Sequence, residues 1–296
     1  MKISELLKTK ATISFEVFPP KNKEGDISSI YYTIDELAKL NPDFISVTYG
    51  AGGSTKGKTV EIASKIKNEY NIEAVAHLTC ISSSKEEVLN MCKELKDNNI
   101  ENILALRGDY PKDPTYDKEN VDFHYAKELN EFIHKEFPDT FCLSGACYPE
   151  VHLEASCFED DLKALKEKVD AGASYLVTQI FFDNSYYYRL VKEARKRGIN
   201  VPILAGVMPI TNAKSLLHTA KMCGCSIPYQ LSTMIESHYH SPAAMKEIGI
   251  NYATHQIIDL ITNGVDGIHI YTMNKPEIAK AIFDSIPTVL KELRHE

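Results

Sequence analysis

A single glutamate interrupts an apolar run near the start of the chain, in TISFEVF (12–18). Ile13, Phe15, Val17 and Phe18 read as buried strand positions, and Pro19-Pro20 ends the run. Burying an unpaired carboxylate is expensive, so Glu16 must find a partner, reach water or take up a proton. A carboxyl kept protonated near neutral pH is a general acid, whereas one hydrogen-bonded near a strand end is structural. Other chemistry-capable residues follow other apolar runs. They are Thr48-Tyr49 leading into GAGGST (50–55), His77, Arg107-Gly108-Asp109, Tyr148 to His152, Gln179, and Tyr271-Thr272 with Asn274-Lys275 beyond. Each has a plain structural reading as well. GAGGST can be a flexible turn or a phosphate or cofactor loop, and it is neither GxGxxG nor a P-loop. His77 can be a core histidine, Arg107 and Asp109 a surface ion pair, and Tyr186-Tyr187-Tyr188 helix packing rather than a stacking platform. It is the repetition at the ends of all but one of the apolar runs that points to a site.

The elements that must position these residues alternate along the chain. Strands are expected over 12–18, 43–49, 73–79, 102–107, 141–147, 174–181, 201–207 and 267–272. Amphipathic helical sequence lies between them, as at 85–97 and 161–171, where Leu162, Leu165 and Val169 recur at helical spacing and Gly172 follows as a stop. Strands that alternate with helices make a parallel sheet with crossovers. Eight of them in a chain somewhat above the usual barrel size of about 250 residues favour a (β/α)8 TIM barrel over a doubly wound open sheet. In such a barrel the C-terminal strand ends build the active site, which is where the polar residues gather. The irregular stretch 221–255 is expected to hold extra helices.

Composition narrows the function classes. The chain has 296 residues, 44% hydrophobic and 25% charged, with a formal net charge of −8 and no basic cluster, which argues against a nucleic-acid partner. No run approaches the roughly 18 apolar residues of a membrane span, and MKISELLKTKA lacks the apolar region of a secretory signal. Seven cysteines without a CxxC framework read as reduced thiols of a cytoplasmic protein. His77, Cys80, His152 and Cys157 carry no metal-site spacing, and no GxSxG elbow occurs. An organic cofactor or general acid–base chemistry is therefore expected, and no metal.

The motifs FEVFPPK (15–21), VTYGAGG (47–53), HLTC (77–80), ALRGD (105–109), YPEVH (148–152), KVDAGA (168–173), TQIFFD (178–183) and YTMNKPE (271–277) run in order through nearly the whole chain. Together they resemble the methylenetetrahydrofolate reductase family in its short bacterial form. The resemblance implies one FAD-binding (β/α)8 catalytic domain over 1–296 without a regulatory domain, in a homo-oligomer. It also implies ping-pong chemistry: NADH or NADPH reduces the flavin and leaves, and 5,10-methylenetetrahydrofolate then takes the hydride to give 5-methyltetrahydrofolate. Glu16 aligns with the general acid and Asp109 with an aspartate beside flavin and substrate. Gln179 aligns with the residue that bonds pterin or nicotinamide; Tyr271 and Lys275 fall on the folate side. For FAD, the resemblance carries over Thr48, Tyr49, Ala51, His77, Arg107, Gly108, Asp109, Ala126, Tyr148, His152, Ala155, Asp161 and Lys168. Arg107 and Lys168 are cations for the pyrophosphate, and Tyr148 is a stacking face.

The chain departs from enterobacterial relatives at Ala164 and Glu167 on the FAD side, and at Ser215 and Thr219 on the folate or nicotinamide side. Two other readings are weighed against the reductase: a pterin-binding methyltransferase-type barrel without flavin, and a non-catalytic barrel subunit. Retention of Glu16, Asp109 and Gln179 together argues against the second of these.

Overall fold

Alternation of side chains along each strand decides which residues reach the barrel interior. On β1 (Thr12–Val17), Ile13, Phe15 and Val17 join the large apolar layer beneath the helices, so Ser14 and Glu16 point inward. On β8 (Gly267–Tyr271), Ile268 and Ile270 take the outer layer, and His269 and Tyr271 point inward. The remaining strands are β2 (Phe44–Val47), β3 (Glu73–Thr79), β4 (Asn102–Leu106), β5 (Cys142–Cys147), β6 (Ala173–Thr178) and β7 (Ile203–Val207). All eight pair in parallel with their sequence neighbours, and β1 with β8, to close the barrel. This computed structural model describes residues 1–20, 27–49, 56–81, 83–111 and 116–294.

The expected strands are all present: β3 has the expected bounds, β6 starts one residue earlier and ends three earlier, and the others are trimmed by one to three residues. Trimming matters at two places: Thr48-Tyr49 and Gln179 lie just past their strands, in the loops at the C-terminal face. The helix expected over 85–97 is α4 (Lys85–Asp97), with a capping box at its start. Ser84 Oγ accepts from the Glu87 N–H, and the Glu87 carboxylate accepts from the Ser84 N–H. The helix expected over 161–171 starts almost one turn earlier, as α6 (Phe158–Asp170). The other helices are α1 (Ile3–Leu6), α2 (Ser28–Ala38), α3 (Lys56–Asn68), α5 (Ala126–Glu136), α7 (Asn184–Lys196), α8 (Ala213–Cys223), α9 (Tyr229–His238), α10 (Pro242–Thr262), α11 (Pro276–Ser285) and α12 (Pro287–Arg294). The extra helices expected in 221–255 are α9 and the first part of α10. They cover a separate apolar cluster built on Ile180, Phe182, Ile210 and Leu216.

The barrel interior is apolar at its N-terminal end, where Phe44, Val75, Leu104, Cys142, Tyr175 and Leu204 pack around Ile3 of α1. The Ile3 N–H is fixed by Asn102 Oδ1 at 2.9 Å. Above this plug the lining turns polar, with Ser14, Ser46, Ser144 and His269 all buried. Tyr187, in the run expected to pack, is buried and donates to the Ile203 carbonyl. Among the described residues no helix is long and apolar enough to cross a membrane.

Candidate active site

Glu16 ends the polar part of the interior and is 6% exposed. The register sets it beside Ser46 of β2 and Tyr271 of β8. Its Oε2 lies 3.4 Å from Nε2 of His77 and 3.6 Å from Nε2 of His269, so one carboxyl oxygen faces two imidazoles. Burial holds His77 below the ordinary histidine range, outweighing the pull of the neighbouring Glu16 charge; the nearby His269 pushes it the same way. The Glu16 backbone carbonyl accepts from Thr272 Oγ1 at 2.7 Å. Two residues on, Asn274 takes both the N–H and the carbonyl of Phe18 with its side-chain amide. The end of β1 is thus stitched to the loop after β8.

Above Glu16 opens a cavity of about 750 Å³ at the C-terminal mouth of the barrel. Thr48, Tyr49, His77, Arg107, Gly108, Asp109, Tyr148, His152, Gln179 and Tyr271 line it with Glu16. Tyr271 spans the interior: its hydroxyl donates to the Thr178 carbonyl at 2.6 Å. Gly206 makes room for it, since a Cβ there would stand 2.6 Å from the Tyr271 ring and 2.4 Å from the Thr178 carbonyl oxygen. Burial first, and then the Glu16 charge, hold the Tyr271 phenol well above its ordinary range, so it remains a neutral donor. Asp109 is exposed at the rim.

A second cavity, about 520 Å³, runs sideways between α5 and α6 and shares Leu106, Arg107, Ala146, Tyr148, His152 and Glu154 with the first. Its walls combine small residues (Ala126, Ala155, Ala164) with Arg107, Lys168 and Asp161. The Lys168 stem lies across β5 because position 145 is glycine: a Cβ there would meet Lys168 Cδ at 2.5 Å. Its ammonium donates to the Ala146 carbonyl, and burial lowers its pKa although Cys147 and Asp161 act in the opposite direction. Asp161 accepts from the His152 N–H at 2.9 Å and so anchors the loop after β5. Burial raises its pKa against that hydrogen bond. Tyr148 meets His152 edge to face with ring centres 4.5 Å apart.

Several expected residues are placed differently. Arg107 is not paired with Asp109. Its guanidinium is gripped by both carboxylate oxygens of Glu154. Lys275 lines neither cavity; it donates to Thr211 Oγ1 at 2.9 Å, beside the mouth. Ala51 and the GAGGST loop lie outside the described residues. Of the departures, Thr219 lines the mouth and Ala164 the side cavity, while Ser215 gives its N–H to the N-cap residue Asn212. Glu167 borders the side cavity and pairs with Lys127 across it at 2.7 Å.

The sequence reading missed Glu154, Ser14 and His269. Glu154 and Arg107 are far apart in sequence and carry no local signal. His269 was legible in principle, because the alternation of GIHIY puts it on the Tyr271 side of the strand. Among the described residues no group of three or more His, Cys, Asp and Glu could hold a metal ion.

A carboxyl at the floor of a barrel mouth, next to a side cavity lined by Arg107 and Lys168, is an arrangement that can seat an anionic ligand beside a carboxyl group. The methylenetetrahydrofolate reductase family profile matches residues 2–287. The chain belongs to the methylenetetrahydrofolate reductase family. It is 38% identical over 270 residues to the 5,10-methylenetetrahydrofolate reductase of Escherichia coli (strain K12), covering 91% of this chain and 88% of that protein. The corresponding protein of Pectobacterium carotovorum subsp. carotovorum is 37% identical over 276 residues, 93% of this chain and 90% of that protein. Identity to methylenetetrahydrofolate reductase (NADH) 1 of Arabidopsis thaliana is 36% over 297 residues, which cover 95% of this chain. The chain spans about half the length of that plant relative, 50%. Among solved structures, a Clostridium thermocellum protein described as binding two copies of 5-methyl-5,6,7,8-tetrahydrofolic acid superposes with a TM-score of 0.65 at 14% identity, over 98% of this chain and 99% of that one. A 2,3-dimethylmalate lyase does so at 0.51 and 11% identity, over 98% and 85%. These two likenesses support the barrel alone. Glu16, Tyr49, His77, Asp109, Tyr148, Gln179 and Tyr271, from seven of the eight motifs, line one mouth.

Proposed function

We propose that this chain reduces 5,10-methylenetetrahydrofolate to 5-methyltetrahydrofolate with electrons from NADH or NADPH, through FAD. The observation that carries the reading is Glu16, a buried carboxyl at the floor of a mouth that Asp109 and Gln179 also line. The residues fit a dinucleotide cofactor. The side cavity of about 520 Å³ adjoins the mouth of about 750 Å³, its alanines leave space, and Arg107 and Lys168 in its lining would supply cations to a pyrophosphate. Thr48, Tyr49, His77, Gly108, Tyr148 and His152 would border the flavin side, and Ala126, Ala155 and Asp161 the nucleotide side. When bound, FAD supplies hydride transfer between nicotinamide and folate.

The protein's own part begins with binding. One mouth receives nicotinamide and folate in turn, which is ping-pong kinetics. Gln179 offers an amide to either ring. Glu16 then delivers its proton to a nitrogen of the folate's five-membered ring. The carbon–nitrogen bond breaks, its electron pair stays on that nitrogen, and a cationic methylene iminium is left to accept hydride. The charge of Asp109 favours the cation. Lys275, whose ammonium donates to Thr211, would meet the glutamate carboxylates of the folate. The catalytic unit is the barrel itself, and we take it to work as a homo-oligomer.

Two substitutions test the assignment. Glu16→Gln keeps yellow cofactor and is still reduced by nicotinamide, but loses folate reduction. Normal folate reduction by this variant contradicts the general-acid role. Asp109→Asn slows the folate half-reaction more than the nicotinamide one, and equal slowing makes Asp109 structural.

A further inference from the structure

Besides Arg107 and Lys168, a further lysine lines the side cavity, Lys127. Arg107 lines the mouth as well and so stands where the two cavities join. The Lys168 ammonium is turned to the Ala146 carbonyl of β5. Lys127 lines the side cavity and not the mouth, on the wall made by α5. It is the second residue of that helix, in a first turn whose dipole disfavours a cation. Its partner comes from the facing wall: Nζ lies 2.7 Å from Glu167 Oε2 on α6, and Glu167 lines the cavity too. Glu167, with Glu128 and Glu131 on α5 adding to it, holds the ammonium above its ordinary range, so it is charged at neutral pH. The two side chains are 36% and 43% exposed, so the pair is weak, and a more highly charged anion takes the ammonium from the carboxylate at little cost.

Resting on the reading that FAD occupies the two cavities, we infer that Lys127 is a further cofactor-binding residue: it leaves Glu167 to meet the phosphate on the nucleoside side of the pyrophosphate, while Arg107 at the junction serves the phosphate on the flavin side. Glu167 holds the ammonium across the cavity until a phosphate displaces it, as Glu154 holds Arg107. The exchange suits the chemistry, because a pyrophosphate brings two negative charges against the one of a carboxylate. The consequence is selectivity between flavins. FMN ends at its single phosphate and is held at the junction without Lys127, so Lys127 favours the dinucleotide over the mononucleotide.

The test is binding of FAD and of FMN to apoprotein, followed by quenching of flavin fluorescence at low and at high salt. Lys127→Met weakens FAD about three- to tenfold and leaves FMN within about twofold. The loss shrinks at high salt, and Lys127→Arg restores FAD. Glu167→Gln frees the ammonium and tightens FAD by about two- to threefold. Because Lys127→Met also leaves Glu167 free to repel a phosphate, the same change is made in Glu167→Gln, where the loss of FAD affinity persists. Should FMN bind too weakly to compare, the loss in that background and its rescue by arginine decide. An unchanged FAD affinity, an equal loss of FAD and FMN, or a loss that vanishes in the Glu167→Gln background overturns the inference and leaves the proposed function standing. Unmodified apoprotein that takes up no FAD overturns both.

Discussion

Glu154 closes on both terminal nitrogens of Arg107, one of them at 2.9 Å, and so occupies the cation shared by the two cavities. The pairing pushes Arg107 up and holds Glu154 below the usual carboxylate range. A pyrophosphate that uses Arg107 must therefore displace Glu154. The Glu154 side chain is 55% exposed, so the pair is worth at most about 1 kcal/mol. Glu154→Gln is expected to tighten FAD binding by roughly two- to fivefold, measured by quenching of flavin fluorescence on titration into apoprotein. Weaker binding would mean that Glu154 itself holds the cofactor.

Lys168 sets stability against binding. Burial lowers its pKa from the ordinary 10.5, so between that lowered value and 10.5 the folded protein binds fewer protons than the unfolded chain. Stability of the apoprotein then rises with pH across this window, the reverse of a salt-bridged lysine. Lys168→Met removes the slope and raises the apoprotein's thermal midpoint, while weakening FAD at least about tenfold, or 1.4 kcal/mol. Scanning calorimetry at several pH values checks the first part and flavin titration the second. A lower midpoint with unchanged FAD affinity would make Lys168 structural.

Asn274 clamps the rim. It and Met273 both adopt left-handed backbone, φ 55° and 51°, and its amide satisfies Phe18 on both sides. Asn274→Gly keeps the conformation and loses the bonds; Asn274→Ala loses both. Alanine is expected to cost about 1 kcal/mol more than glycine in denaturant unfolding, the usual penalty for left-handed backbone. Both variants slow the folate half-reaction, since Phe18 lines the mouth two residues after Glu16. Equal stability of the two variants would show that the backbone there relaxes freely.

The barrel was legible because its signals are local. Apolar runs of strand length give the strands, and helical spacing such as Leu162, Leu165 and Val169 before Gly172 gives the helices between them. The mouth was legible because strand ends collect polar residues in this fold. The Arg107–Glu154 grip was not, since it joins loops after different strands and depends on side-chain reach. Nor was the place of Lys275, whose partner Thr211 comes from the loop after β7. His269 lay between these cases: its inward direction follows from alternation, but its partner Ser14 appears only once β1 and β8 pair around the closed barrel.

The central claim is that one mouth passes hydride from nicotinamide to folate through a flavin, with this chain's residues holding all three. Anaerobic stopped-flow absorbance of the purified protein tests it most directly, adding NADH or NADPH first and 5,10-methylenetetrahydrofolate second. Bleaching of the oxidised flavin band, followed by its recovery as 5-methyltetrahydrofolate forms, is expected. A colourless protein that cannot be reconstituted with FAD, or a reduced flavin that the folate leaves bleached, would contradict it.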